Sequence, residues 1–329
     1  MKKAKRIHWY TTSSLPASLR LLKFPSVLPL RDNRINSIIR FTSGDQLLSD
    51  QILFNDATVN KTFYFKVPKV SSMKALDFKE YLEKISPGLS SEEGFRFGNP
   101  NLEVKGILVS WMATKEAIEK AIDEDCNFMI VHEDLFYPYE FQRDETFEKY
   151  LTWSVNHTRL KMLAEHNITV FRAHGTLDRL CILDDFAETL GLPEPTVRKG
   201  YVRIYDVPSI TVKDLALDVK KKLNLKAVRV VGDFDREISR IGLPWGGLGL
   251  SLNIGFLEEL LRYAPQVLIA GETDEYAMYY ALDADVNIIE TGHSISENIG
   301  LKGFVEKLKR DHPETKIVFY ECEKPWRFL

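Results

Sequence analysis

From Val104 onward, short runs of β-branched and apolar residues alternate with longer segments of helical periodicity, and this order constrains the fold more than any other feature. "VKGILVSW" reads as a strand, and "TKEAIEKAIDED" as an amphipathic helix with Thr114 as its N-cap. "NFMIVH" reads as a buried strand, and a long polar and aromatic helix is expected from about Asp144 to Glu165. "ITVFRAH" is the next strand, and "LDDFAETLGL" a helix ending at Gly191 and Pro193. After the connector "GLPEPTVRK" the alternation resumes with strand "YVRIYDV", helix "TVKDLALDVKKKL" and strand "KAVRVVGD". Helix "NIGFLEELLRY", strand "QVLIAG", helix "DEYAMYYALD", strand "VNIIETG", a helix from about Ser296 to Arg310 and strand "KIVFY" complete it. Parallel neighbours cannot be joined by a tight turn and need a crossover, which a helix supplies. The expected class is therefore α/β, with two lobes of mostly parallel or mixed sheet. The first lobe is expected over 73–195 and the second over 196–329, divided at the two prolines of the connector.

Ahead of these lobes, residues 1–72 show weak periodicity and read as a poorly defined N-terminal extension. A helix with apolar Leu76, Phe78, Tyr81, Leu82 and Ile85 opens the ordered part, and a glycine-rich loop through Gly88, Gly94 and Gly98 follows it. No acidic residue occurs from Met1 to Arg31, whereas Lys2, Lys3, Lys5, Arg6, Arg20, Lys23 and Arg31 do. That composition suits an organelle transit peptide. The plainer reading is an extension without function, with Met73 as an internal start. The expected location is the cytoplasm, with an organelle as the alternative if the basic segment targets the chain.

Composition narrows the function classes. A formal net charge of −3 gives no global basic field, so nucleic acid is not an expected partner. No apolar run reaches the roughly 20 residues of a membrane span. The three cysteines, Cys126, Cys181 and Cys322, have no CxxC spacing and read as reduced residues of an intracellular protein.

Three of the seven histidines stand at the carboxyl ends of expected strands: His132, His174 and His293. Each is followed within about one helical turn by carboxylates: Glu133 and Asp134, Asp178, and Glu297. Ligands in open α/β sheets bind beyond these strand ends. The first turn of a helix also favours a carboxylate through the macrodipole, so any single pair is explained as a helix start. Three such pairs at equivalent edges point instead to a shared metal site. Mixed imidazole and carboxylate ligands suit zinc, iron(II) or manganese rather than calcium. Carboxylates can bridge two ions about 3.5–4 Å apart, the arrangement used in metal-assisted hydrolysis, and Glu297 is the bridging candidate.

Taken together, "VKGILVSWMATKEAIEKAIDEDCNFMIVHEDLFYP", "FRAHGTLDRL", "VRVVGDFDREISRIGLPWGGLG" and "VLIAGETDEYAMYYALDADVNIIETGHSISENIGL" resemble, in order and spacing, the GTP cyclohydrolase 1 type 2/Nif-three-like family from about Met73 to the C-terminus. The resemblance implies two α/β lobes, two divalent metal ions between them, and a homo-oligomer, often a toroidal hexamer. It places the first metal motif on His132 and Glu133, where the family pattern has two adjacent histidines. It places the second on His174 and Asp178, with Asp178 the ligand and His174 a residue that supports the site or contacts substrate. The third falls on His293 and Glu297, both ligands.

Weaker features remain. Gly246, Gly247 and Gly249 precede a helix and read equally as a tight turn or a phosphate-holding loop. Glu272 ends a strand without a nearby histidine, and His157, His8, His166 and His312 carry no pattern. The strand–GxGxxG–helix fingerprint of dinucleotide enzymes is absent. Two functions are expected in competition. One is a metal-dependent hydrolase of a small nucleotide-like, phosphorylated or heterocyclic substrate, with Glu297 and His174 as catalytic residues. The other is a non-catalytic metal-binding scaffold or regulatory interaction protein.

Overall fold

The computed structural model describes strands at 37–40, 51–56 and 61–66 and residues 73–139, 145–322, 324–327 and 329. The chain forms two units, 1–71 and 72–329. In the first, β1 (Ser37–Arg40), β2 (Gln51–Asp56) and β3 (Lys61–Lys66) make an antiparallel meander in that order. The sequence reading named no strand there. The basic segment 1–31, which carries the transit-peptide reading, lies outside the described residues.

The second unit is a mixed α/β structure with two sheets. Its strands are β4 (Gly94–Phe97), β5 (Gly106–Ser110), β6 (Phe128–Val131), β7 (Thr169–Arg172), β8 (Val197–Lys199), β9 (Val202–Thr211), β10 (Arg229–Val231), β11 (Glu237–Gly242), β12 (Val267–Ala270), β13 (Asn287–Glu290) and β14 (Lys316–Tyr320). The first sheet runs β14-β5-β6-β7-β4, parallel except for the edge strand β4. The second runs β10-β13-β12-β11-β9-β8, with β11, β12 and β13 parallel and the outer strands antiparallel.

Side chains alternate across each sheet, and the sequence has an apolar residue for both faces. In the first sheet Leu108, Met129, Val131 and Val170 face Ala117, Ile118 and Ala121 of the helix Lys115–Asp123 and Leu163 of the helix Ser154–Glu165. Ile107, Val109, Phe128, Ile130 and Phe171 face the other way. They join one core with Ile238, Ile241, Val267, Ile269 and Ile289 of the second sheet. The helices Ala75–Ile85, Leu183–Thr189, Val212–Lys222 and His293–Asp311 contribute Phe78, Phe186, Leu215, Val219, Leu301 and Phe304 to that shared core. Phe78 meets Phe128, Phe171 and Phe304 edge-on, with ring centroids 5.5, 5.3 and 6.5 Å away. Burying one such ring stabilises by about 1.5–3 kcal/mol. The outer face of the second sheet is closed by Leu257 and Leu260 of the helix Ile254–Leu261 and by Ala277 and Ala281 of the helix Glu275–Asp283.

Four details depart from the sequence reading. The last strand, β14, does not stay with 196–329 but pairs parallel with β5 in the first sheet. The helix His293–Asp311 makes this return; its 19 residues span about 28 Å. The helix expected over 144–165 is broken into Glu148–Leu151 and Ser154–Glu165, because Trp153 between them is extended (φ −63°, ψ 134°). Asp144 itself lies outside the described residues. Segments read as loop or connector supply the edge strands β4 and β8, and β11 was not anticipated within "GDFDREISRIGLP".

Candidate metal centre

The parallel strands of both sheets end at one place. Trp111 follows β5, His132 follows β6, and His174 stands two residues beyond β7. From the second sheet, Trp245 comes after β11, Glu272 after β12 and His293 after β13. His293 opens the long helix and Glu297 lies one turn along, on the same face. Asp178 begins a π-helical turn, Asp178–Ile182, of the kind often found at functional sites. Gly300 lets this turn and the long helix touch: a Cβ there would sit 2.3 Å from the Ile182 Cα. That close approach fixes Asp178 relative to Glu297, three residues before Gly300.

Side chains from both sheets then meet. His132 Nε2 lies 3.6 Å from Asp178 Oδ1 and 3.5 Å from Glu297 Oε2. His293 Nε2 lies 3.2 Å from Glu133 Oε1 and 3.3 Å from Glu297 Oε1. Glu297 thus offers one oxygen to each imidazole. His132, His174 and Asp178 form one group of potential ligands, and His132, Glu133 and Glu297 another; within each, the ligand atoms lie within 4.8 Å of one another. His174, which sequence reasoning placed outside the ligand set, therefore stands within reach of it. Its ring centroid is 4.6 Å from that of His132.

The residues fit a divalent cation. His132 is fully buried, yet its Nε2 makes no hydrogen bond. It faces the Asp178 and Glu297 carboxylates at 3.6 and 3.5 Å, and a cation between them would meet all three groups. Two ligand atoms on one tetrahedral ion at about 2.1 Å stand about 3.4 Å apart, close to the spacings found here. Each imidazole is also oriented from behind. His132 Nδ1 donates to the Ala173 carbonyl (3.2 Å), His174 Nδ1 to Glu92 (2.9 Å) and His293 Nδ1 to Glu272 (3.0 Å). Such outer contacts set the tautomer that leaves Nε2 for a metal. The acids are held as well: Trp111 Nε1 donates to Glu297 (2.6 Å) and Trp245 Nε1 to Asp178 (3.2 Å). Glu133 faces the buried Arg172 guanidinium at 4.0 Å, and Arg172 Nε donates to the His132 carbonyl (3.2 Å).

Electrostatics agree with a cation-seeking site. Burial alone would push the His132 imidazole down, but the Glu297 and Asp178 carboxylates outweigh it and carry it up to about 9. Burial is likewise overcome at His293, which Glu297, Glu133 and Glu272 raise well above the usual imidazole range. Burial would raise Glu133 and Glu297, yet the facing imidazoles hold both below the usual carboxylate range. Asp178 alone is raised, by burial. Protons here occupy positions that suit a metal.

Sequence reasoning missed Glu92, Glu93, Trp111 and Trp245. Glu93 accepts hydrogen bonds from the backbone of His174 (2.8 Å) and Thr176 (2.9 Å), which shapes the loop after β7. No local pattern announces these residues, since their partners are far away in the chain. The glycine-rich turn proves to be a tight, close-packed one. A Cβ on Gly246 (φ +54°) would fall 1.9 Å from Glu297 Oε1, and one on Gly247 2.9 Å from the His293 ring. The Ser251 amide and hydroxyl at the following helix entry are already held by Asp274 at 2.9 and 2.8 Å. Gly246→Ala should therefore displace the Glu297 carboxylate and strain the backbone by about 1–2 kcal/mol. Metal affinity measured by competition with a chelating dye should fall about tenfold or more. Gly255→Ala is the control, because nothing lies within 4 Å of its Cβ position, and it should leave affinity unchanged.

Comparison with known proteins follows the same outline. The family model described as Duf34/NIF3 (NGG1p interacting factor 3) matches residues 73–325. A Chlamydia pneumoniae protein called a GTP cyclohydrolase 1 type 2 homolog is 27% identical over 279 residues, covering 77% of this chain and all of the relative. The crystal structure of the Staphylococcus aureus protein SA1388 superposes with a TM-score of 0.65 at 20% identity, over 79% of this chain and all of that one. A Bacillus cereus protein related to NIF3 gives 0.62 at 16% identity, over 78% and 99%. Among the described residues, no helix is long and apolar enough to cross a membrane.

Proposed function

This chain belongs to the Duf34/NIF3 family, and from that premise we propose that it is a divalent-metal-dependent hydrolase of a small nucleotide-like, phosphorylated or heterocyclic substrate. The observation that carries the reading is His132 Nε2, buried, without a hydrogen bond, and facing carboxylates that arrive with both sheets. His132, Glu133, Asp178, His293 and Glu297 would hold two ions of zinc, iron(II) or manganese, with His174 within reach of the His132–Asp178 side. Bound there, the ions would supply Lewis acidity, lowering the pKa of water toward neutrality and taking up negative charge at the electrophile.

The chain's own residues do the rest. Glu297 ties the two halves of the centre through its two oxygens. Glu92 and Glu272 lock the His174 and His293 rings. His174, with about a fifth of its side chain exposed, is the imidazole of the His132 group that reaches solvent. In this reading it accepts a proton from an entering group and returns it to a leaving one. Carboxylates in place of imidazole at Glu133 make the set harder, which favours manganese or iron over a thiophilic ion.

A second reading, a metal-binding scaffold or regulatory protein, is favoured by how closely the centre is packed: His132, Glu133, Asp178 and Glu297 are all buried. Elemental analysis of the purified chain, followed by assays across nucleotide, phosphoester and heterocycle panels, separates the readings. About two divalent ions per chain with turnover that a chelator abolishes and metal restores is the expected result. Two ions with no turnover would favour the scaffold, and metal-free protein that ions neither bind nor stabilise would overturn both.

A further inference from the structure

Two indole groups cross between the sheets at the centre. Trp111, directly after β5 of the first sheet, donates its Nε1–H to Glu297 Oε2 at 2.6 Å. Glu297 lies on the helix that follows β13 of the second sheet. Trp245, three residues after β11 of the second sheet, donates to Asp178 Oδ1 at 3.2 Å. Asp178 opens the π-helical turn that comes after β7 of the first sheet. Each sheet therefore lends an indole to an acid that arrives with the other.

Which oxygen each indole holds gives the pairing its meaning. A carboxylate has two oxygens, and here the indole-bound ones are Glu297 Oε2 and Asp178 Oδ1. These same two oxygens face His132 Nε2, at 3.5 and 3.6 Å, and that nitrogen makes no hydrogen bond. A carboxylate oxygen has lone pairs enough for an N–H on one side and a cation on the other. The indoles thus fix both oxygens from behind and leave them turned toward the imidazole. An indole N–H is a donor only, so neither tryptophan can itself be a ligand through that nitrogen.

A plainer explanation is packing. Trp245 is buried in the shared core, and Trp111 meets the His293 ring edge-on with centroids 5.2 Å apart. A buried indole also usually finds a partner for its N–H. Packing accounts for the two rings but not for where both N–H groups point. A backbone carbonyl would serve a purely structural indole. Here two N–H groups from opposite sheets reach two carboxylates, and each takes the oxygen turned to one and the same imidazole nitrogen.

We propose that Trp111 and Trp245 are a reciprocal pair of positioning residues, each holding from the opposite sheet one of the two carboxylate oxygens that would bind a divalent cation beside His132. The spacing of those oxygens is then set by how the two sheets pack, before any cation arrives. The cation is the one assumed in the metal-dependent reading above, on which this pairing rests.

The test separates the N–H from the ring. In the full chain, the indole of Trp111 or of Trp245 is replaced by a benzothiophene, which keeps the bicyclic shape and removes the N–H. Zinc affinity is then measured by competition with a chelating dye, and thermal unfolding of the metal-free chain checks the fold. Each replacement should lower zinc affinity about tenfold or more, the usual cost of losing a group that orients a metal ligand. Trp111→Phe and Trp245→Phe, which also lose part of the ring, should lose at least as much. Wild-type affinity in a folded benzothiophene variant overturns the pairing and leaves the metal reading standing, because a ring that only packs is still present. Where the Trp245 replacement does not fold, the Trp111 replacement decides alone, since the pair fails if either member does. A wild-type chain that binds no zinc, manganese or iron(II) sinks the metal reading and the pairing with it.

Discussion

Glu297→Gln is expected to strip the centre of metal. Elemental analysis should show fewer than one ion per chain, and dye competition should show affinity lowered by about 100-fold or more. Loss of a residue that only supports a ligand commonly costs about 10–100-fold, and Glu297 is positioned more directly than that. One oxygen lies 3.3 Å from His293 Nε2 and the other 3.5 Å from His132 Nε2, so a single carboxylate faces both imidazoles. Trp111 Nε1 pins the same group at 2.6 Å, and the missing side chain at Gly246 makes the room it occupies. Glutamine keeps the volume but removes the charge and turns an NH2 toward one of the imidazoles. Two ions retained at wild-type affinity would show that the centre does not converge on Glu297, and the two-ion proposal would fail with it.

The same substitution reports on the metal-free chain. Glu297 and Asp178 are what raise His132 against the pull of burial. Without the Glu297 charge, His132 should titrate lower, visible in NMR as a ring-proton titration whose midpoint moves to lower pH. The fold itself should persist, because the shared core around Phe78, Ile269 and Phe304 does not involve Glu297.

The parts of this molecule legible in its sequence are those set by local pattern. Unbroken apolar runs marked β5, β6, β7, β12 and β13 because these strands are covered on both faces. Thr114 caps its helix as its position predicts, accepting from the Ala117 amide at 3.1 Å. The histidines at strand ends were legible because strand ends are where α/β sheets place their ligands. What escaped depends on distance in the chain. β11 carries polar residues at alternate positions and a bulge between Ile238 and Arg240, so its sequence lacks the signature of its parallel neighbours. β14 reads as a strand, but nothing local says that it pairs with β5, more than 200 residues earlier. Nothing local singles out Trp111 and Trp245, and only the fold shows their indole N–H groups turned to Glu297 and Asp178. Gly246 read equally as part of a tight turn or of a phosphate loop, and the space it yields belongs to a carboxylate.

Metal and protons should compete for the centre, with opposite consequences for stability on either side of neutral pH. In the metal-free chain His132 binds its proton up to about 9, against an ordinary value of 6.5 in the unfolded chain. A group raised on folding stabilises fully below its unfolded value and loses that contribution as pH climbs through the folded one. For His132 the loss amounts to about 3 kcal/mol between roughly pH 6.5 and 9. His293, raised likewise, adds to it with the same sign. Glu133 and Glu297 are lowered, so their contribution is present above the ordinary carboxylate value of 4.5 and disappears as pH falls below it. Asp178, raised by burial, opposes them in the acid range. Metal reverses the alkaline trend, because it needs both imidazoles unprotonated and so gains affinity as pH rises. Thermal unfolding in a chelator should therefore show a melting temperature that falls from pH 6.5 to 9, whereas the metal-loaded chain should hold or gain over the same span. At pH 7 both imidazoles must give up a proton for metal to enter. Calorimetric titration in buffers of different ionisation enthalpy should register the release of about two protons per chain. Release of none would mean that metal enters without displacing the His132 and His293 protons, and those imidazoles would then have no claim as ligands.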